Sequence, residues 1–184
     1  MKIKTKDFYK RVRQNLAKPM AAKGYRQTSG GLPSWHQQQG EQYLTIWFEG
    51  HQWGWDELWG SSFTVEFQLD PSYEPGVGHF DHRERLPNLL SVLEREQIRQ
   101  SNNYIITEMP GYQQNTQVFA QADGATILLL GKDRHKQPYA PNQDIWFEYL
   151  LPAHIDDWTE YFVSVLDSAQ ARFIESLSPT SSGQ

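Results

Sequence analysis

Apolar and polar residues alternate without a break from Phe63 to Leu69. Phe63, Val65, Phe67 and Leu69 therefore share one face of a strand, and Thr64, Glu66 and Gln68 share the other. Residues 43–48 read as its neighbour, and residues 34–38, turned at Gln39-Gly40, as a third strand, giving a meander that ends near Asp70. Periods of three and four residues replace the alternation at both ends of the chain. Phe8, Val12, Leu16 and Met20 predict a helix over residues 6–23, with Thr5 as N-cap, Pro19 disturbing a late turn and Gly24 stopping it. Trp158, Phe162, Val165, Leu166, Ala169 and Phe173 predict a second over residues 156–177. A middle helix is expected over residues 87–100, with Leu89, Leu90, Leu93 and Ile98 on one side. Shorter strands are expected at residues 104–107, in a hairpin of residues 117–120 and 126–130 around Asp123-Gly124, and at residues 144–151, stopped by Pro152. The predicted fold is α+β. It has an antiparallel sheet of about six strands, with the N-terminal, middle and C-terminal helices packed on one face. Residues 1–177 read as a single domain and the polar residues 178–184 as a disordered tail.

A chain of 184 residues with 14% aromatic content has ample material for one core. It contains no cysteine, which excludes disulfides, thiolate metal sites and cysteine nucleophiles and agrees with a reducing, cytoplasmic setting. No apolar run reaches the roughly 20 residues of a membrane span, so no membrane association is expected. The net charge of −5 is unevenly spread. Residues 1–26 hold nine Lys and Arg against Asp7, a charge of +8, and the remainder holds eight basic residues against 21 acids, −13. Charge this uneven calls for a counterpart to the basic segment: an anionic partner, or the protein's own acidic body.

Asp7-Phe8-Tyr9-Lys10 at the start of the first helix, Lys23-Gly24-Tyr25-Arg26 at its end and Phe63-Thr64-Val65 in the later strand form an ordered set. In this order the first part of the chain, over residues 5–110, resembles a bacterial family catalogued as domain of unknown function 4304. The resemblance implies a fold and no site, because that family has no assigned chemistry.

Candidate chemistry falls in three places. Trp53, Trp55 and Trp59 crowd one loop with Asp56 and Glu57. Such a loop is a satellite core over the sheet, a partner-binding patch, or a stacking platform for a sugar or base with carboxylates accepting hydrogen bonds. Lys6, Lys10, Arg11, Arg13 and Lys18 stand on the first helix and offer contacts to phosphates, in competition with docking against the acidic body. His79, Asp81 and His82 are the densest set of metal-ligand residue types, though a glycine-flanked loop imposes no ligand geometry on them. His36, Arg83 and Arg85 are further recognition residues. No nucleophile elbow, phosphate-cradling loop or His-Glu-x-x-His motif occurs, and neither Glu66 nor Glu148 is followed by the lysine of a nuclease motif.

The expectation is a non-catalytic cytoplasmic protein without a cofactor, of antitoxin or immunity type. It would meet a basic macromolecular partner, in the first instance a protein, through an acidic, tryptophan-rich surface. The alternatives are a nucleic-acid-associated protein using the basic helix, and a small hydrolase or carbohydrate binder at the aromatic loop.

Overall fold

The computed structural model describes residues 2–79, 82–115, 135–140 and 143–177. Among these residues six strands form one antiparallel sheet: β1 (Arg26–Gln27), β2 (Ser34–Gln39), β3 (Gln42–Gly50), β4 (Ser61–Asp70), β5 (Arg83–Arg85) and β6 (Phe147–Tyr149). Strands β1 to β5 lie in sequence order. The outer edge of β4 is shared, for β5 pairs opposite Glu66, Phe67 and Gln68, and β6 opposite Ser61, Ser62 and Phe63. The helices are α1 (Thr5–Ala22), α2 (Val92–Glu108), the short α3 (Pro110–Asn115) and α4 (Pro152–Leu177), with a 3-10 turn at Leu86–Leu89. The expected α+β architecture is what forms.

Register follows from the alternation. Pairing Phe48 with Val65, Ile46 with Phe67 and Leu44 with Leu69 puts these six side chains and Phe63 on one face. α1 and α4 cover that face. Phe8 stacks on Tyr149, with ring centroids 5.1 Å apart, and sits 5.1 Å from Phe63, while Phe162 meets Phe48 edge-on and Phe173 lies against Phe67. Each such ring contributes roughly 2–3 kcal/mol by leaving water.

The opposite face is polar yet also buried. Thr45, Thr64 and Gln68 are inaccessible, and Glu66, Glu148 and Trp47 nearly so. Gln68 is satisfied by the chain that follows β4: its amide donates to the Val77 carbonyl (2.6 Å) and accepts from the Gly76 N–H (3.2 Å). That brings the loop after Asp70 back across the sheet.

Several expected boundaries are corrected. Lys4, extended at φ −72°, is the N-cap of α1 and Thr5 is already helical. The helix continues through Pro19 to Ala22. Gly24 does end it, at φ +83°, with Gly24 N–H on Ala21 O and Tyr25 N–H on Met20 O, the paired bonds of a Schellman motif. The middle helix starts at Val92, not at residue 87, because Ser91 and Glu94 form a reciprocal capping box. That start turns Leu93 outward, 78% exposed, against the expected inward stripe. Residues 104–107 are helical and not a strand, since Ile98, Asn102, Ile105 and Ile106 carry the buried face onward at helical spacing. Only Phe147–Tyr149 of the expected strand at 144–151 pairs. Pro152 opens α4, where its missing N–H is harmless, and so starts the helix before residue 156. The expected hairpin of residues 117–130 and the tail of residues 178–184 lie outside the described residues.

Glu94 ties α2 to α4 as well as capping its own helix. Its carboxylate accepts from the Ser91 N–H (2.7 Å), from Arg172 (2.8 Å) and from the Ser168 hydroxyl (3.3 Å). Burial alone would raise its pKa; the hydrogen bonds from Ser91 and the Arg172 charge outweigh it and hold the value down at about 2. A depressed carboxylate stabilises the fold fully above its unfolded value, near 4.5, and ceases to do so as pH falls toward 2. Glu94→Gln is therefore expected to cost on the order of 2 kcal/mol at pH 7, after allowance for solvent screening, and far less at pH 2.5. Urea melts of both proteins at the two pH values measure the difference.

Candidate functional site

The loop from His51 to Gly60 leaves the end of β3 and is mounted on three other elements. The Trp55 indole N–H donates to the Leu150 carbonyl (3.1 Å), which fixes the loop to the β6–α4 junction. The Leu58 carbonyl accepts from the Gly111 N–H (2.8 Å), which fixes it to the start of α3. Trp59 lies flat against Gly111, where an added Cβ would come within 2.6 Å of its ring. The third support is α1, whose Thr5 hydroxyl would be 3.9 Å from a Cβ on Gly54 and whose Tyr9 ring neighbours Gly50.

Asp56 serves the loop itself. Its carboxylate accepts the N–H groups of Leu58 (2.8 Å) and Trp59 (3.1 Å), and its backbone exchanges two hydrogen bonds with Gly60. Gly60 closes this turn at φ +60°, hard against the Tyr149 carbonyl. Of the three loop tryptophans, Trp55 and Trp59 are thus half-buried braces and Trp53 alone stands out, 81% exposed. Leu58 in the same loop and Leu151 after β6 are 38% and 48% exposed, and Glu57 is exposed as well. The same junction holds Glu108, 3.5 Å from His154, and Asp157 on the first turns of α4. His154 is held neutral-leaning: burial lowers its pKa, against the opposing pull of Glu108 and Asp157. Its Nδ1 accepts the Leu150 and Leu151 N–H groups, so it caps the chain entering α4.

The basic helix meets its counterpart inside the molecule. Arg11 makes a two-pronged ion pair with Asp156, and its hydrogen bonds keep that carboxyl below the usual carboxylate range. Lys23 pairs with Asp167 at 2.6 Å, and Asn15 bonds both Asp156 and Thr159. Arg13 donates to the carbonyls of Gly30 and Gly31. Lys6, Lys10 and Lys18 remain exposed. Of the candidate metal residues, His79 and His82 have ring centroids 6.1 Å apart, and Asp81 lies outside the described residues. No group of three metal-ligating side chains assembles among the described residues.

Two polar assemblies on the second sheet face have no signature in the sequence. Glu66 sits between Arg83 (2.5 Å) and Arg85 (3.5 Å), and Arg85 also pairs with Asp144. The guanidiniums lie over the Trp47 and Trp146 rings, at 5.0 and 5.3 Å. Glu66 is thus a matched structural charge, as are the two arginines singled out as recognition residues. Beside it, buried His135 lies 3.5 Å from Glu148 and 2.5 Å from the Tyr139 hydroxyl, which also receives Asn102 at 3.0 Å. Asn102 fills the outer edge of β6 as a neighbouring strand would: it accepts the Glu148 N–H and donates to the Trp146 carbonyl, both at 2.8 Å. These residues come from positions 102 to 148 with no fixed spacing, and only the fold brings them together.

No family model matches the chain, and neither the curated proteins nor the solved structures contain a match to it.

Two measurements check this mounting. Acrylamide is expected to quench a fraction of the tryptophan emission strongly, and Trp53→Phe should remove that fraction while leaving the emission of the buried indoles. Gly60→Ala is expected to cost well over 1 kcal/mol in thermal or urea unfolding, because a left-handed backbone and a steric clash coincide there.

Proposed function

We propose that the chain is a non-catalytic binding protein that engages a basic protein partner in the cytoplasm, in the manner of an antitoxin or immunity protein, through the surface centred on Trp53. The supporting observation is mechanical. Trp53 is largely exposed on a loop whose other two tryptophans, Trp55 and Trp59, are held against neighbouring elements. An exposed indole on a rigid mount loses little entropy on binding and buries a large area, which is why tryptophan dominates interface hot spots. Leu58 in the same loop and Leu151 after β6 are further exposed apolar side chains, and the chain outside residues 1–26 carries a net −13 that would steer a cationic surface toward it.

The other readings have less support. Two of the five helix cations proposed for phosphate contact, Arg11 and Arg13, are engaged within the molecule. A hydrolase or sugar site at the loop would want the Asp56 carboxylate, one oxygen of which the loop's own backbone holds.

Affinity capture from native lysate of the source cells, wild type against Trp53→Ala, tests the proposal. A basic protein retained by the wild type should bind the variant at least about 30-fold more weakly, the size of a hot-spot loss of ~2 kcal/mol, with affinity falling as salt rises. Equal retention by the two proteins, or an acidic captured protein, overturns it.

A further inference from the structure

The other end of the sheet carries a groove of about 580 Å³ over the β1–β2 edge. It lies near Tyr43, roughly 23 Å along β3 from the Trp53 loop, and so is separate from the surface proposed above. Antiparallel pairing places Arg26 directly opposite His36. The His36 ring stacks on Tyr73, with centroids 4.6 Å apart and planes 21° from parallel, and Tyr43 meets both rings edge-on at 5.7 and 5.4 Å. Tyr73 stays 44% exposed and lines the groove.

The walls are held in place. The Thr28 hydroxyl and His36 Nδ1 are 3.0 Å apart. Arg13 clamps the Gly30 and Gly31 carbonyls of the loop after β1. Gln37 fastens β2 to the end of α1 through the Lys23 carbonyl (3.1 Å), and Asp70 caps the Ser72 N–H at the start of the loop that delivers Tyr73.

The charge in the groove is unusual for this chain. Acids outnumber Lys and Arg by 22 to 17, yet no carboxylate is among the groove's described lining residues. Arg26 is exposed there with no carboxylate partner among the described residues. Burial, reinforced by the Arg26 charge, lowers the His36 pKa, and Arg26 is the one Lys or Arg among the groove's described lining residues. The Gln27 amide and the Ser29 hydroxyl add hydrogen-bonding groups at the rim.

We propose that this groove is a nucleotide-binding site, in which Tyr73 and the ring cluster behind it stack on the base and Arg26 takes the phosphate. A ring face beside an unpaired guanidinium fits a ligand that is planar at one end and anionic at the other. A neutral sugar would leave Arg26 without a role, and inorganic phosphate would leave the rings without one. The volume is in the range that encloses small cofactors and ligands. A free mononucleotide and one residue of a single strand share this chemistry.

The test uses the full-length chain, with the His36 ring resonances followed by NMR and affinities by calorimetry. The four nucleoside monophosphates, adenosine, inorganic phosphate and a ten-residue oligodeoxyadenylate are titrated separately. At least one monophosphate should shift the His36 resonances and bind at least 10-fold more tightly than either adenosine or phosphate. Arg26→Ala and Tyr73→Ala, both at exposed positions, should each weaken it 10-fold or more while the melting temperature stays near that of the wild type. The decamer then separates the two sources: tighter and strongly salt-dependent binding identifies a single strand, and binding no tighter than the monophosphate identifies a free nucleotide. The proposal is overturned if no monophosphate moves His36 at 5 mM, if phosphate alone binds as well as any of them, or if the stably folded variants bind like the wild type.

Discussion

Burial of both faces of the β3–β4 pair is the constraint on which the remaining structure depends. On one face Leu44, Ile46, Phe48, Phe63, Val65 and Phe67 pack under α1 and α4. On the other, Thr45, Thr64, Gln68, Glu66 and Glu148 are withdrawn from water although they are polar. A one-residue slip in register would exchange the two sets, putting carboxylates under the helices and phenylalanines against the arginines. Both faces therefore oppose slippage, and the pairing is fixed more tightly than an apolar face alone would require. The charged and amide groups there are matched within the molecule, Glu66 between Arg83 and Arg85, Gln68 by the returning loop and Asn102 along the edge of β6.

The same logic governs the charge. A +8 segment and a −13 remainder, as a string, admit either an anionic partner or the protein's own acidic body as the counterpart. Folded, α1 lies beside α4, and Arg11–Asp156 and Lys23–Asp167 draw part of that charge into the helix interface. Such pairs are half-exposed and each contributes little to stability. Their larger effect is on the surface of α1, where Lys6, Lys10 and Lys18 stay exposed while Arg11 is engaged, which weakens the case for a phosphate-binding helix.

The tryptophan loop shows how one composition serves two purposes. Trp55 and Trp59 give up their exposure to fix the loop to the β6–α4 junction and to Gly111, and Asp56 gives its carboxylate to the turn. Of the three indoles, Trp53 alone remains outward, on a braced support. At the far end of β3 the sheet carries another aromatic group, assembled from β2, β3 and the loop after β4, over which Arg26 supplies the charge. Two surfaces of different chemistry thus stand at opposite ends of one sheet.

By itself the sequence determined whatever depends on local period. The strand alternation of residues 63–69, the four-residue recurrence from Phe8 to Met20, the Gly24 stop and the α+β class follow from side-chain direction alone, and all are present in the fold. Boundaries failed where two local signals competed: Pro87 suggested a helix start that the Ser91–Glu94 capping box took instead, and Pro152, read as a stop, began a helix. The tryptophan cluster was legible as a feature, but not which of its members would be exposed, because Trp55 and Trp59 are buried by partners about 50 to 95 residues away. Only the tertiary structure decided the His135–Glu148–Asn102 network, the pairing of α1 with α4, and the meeting of Arg26, His36 and Tyr73. Each joins residues with no common spacing, and burial and charge matching between distant segments act only once the chain has brought those segments into contact.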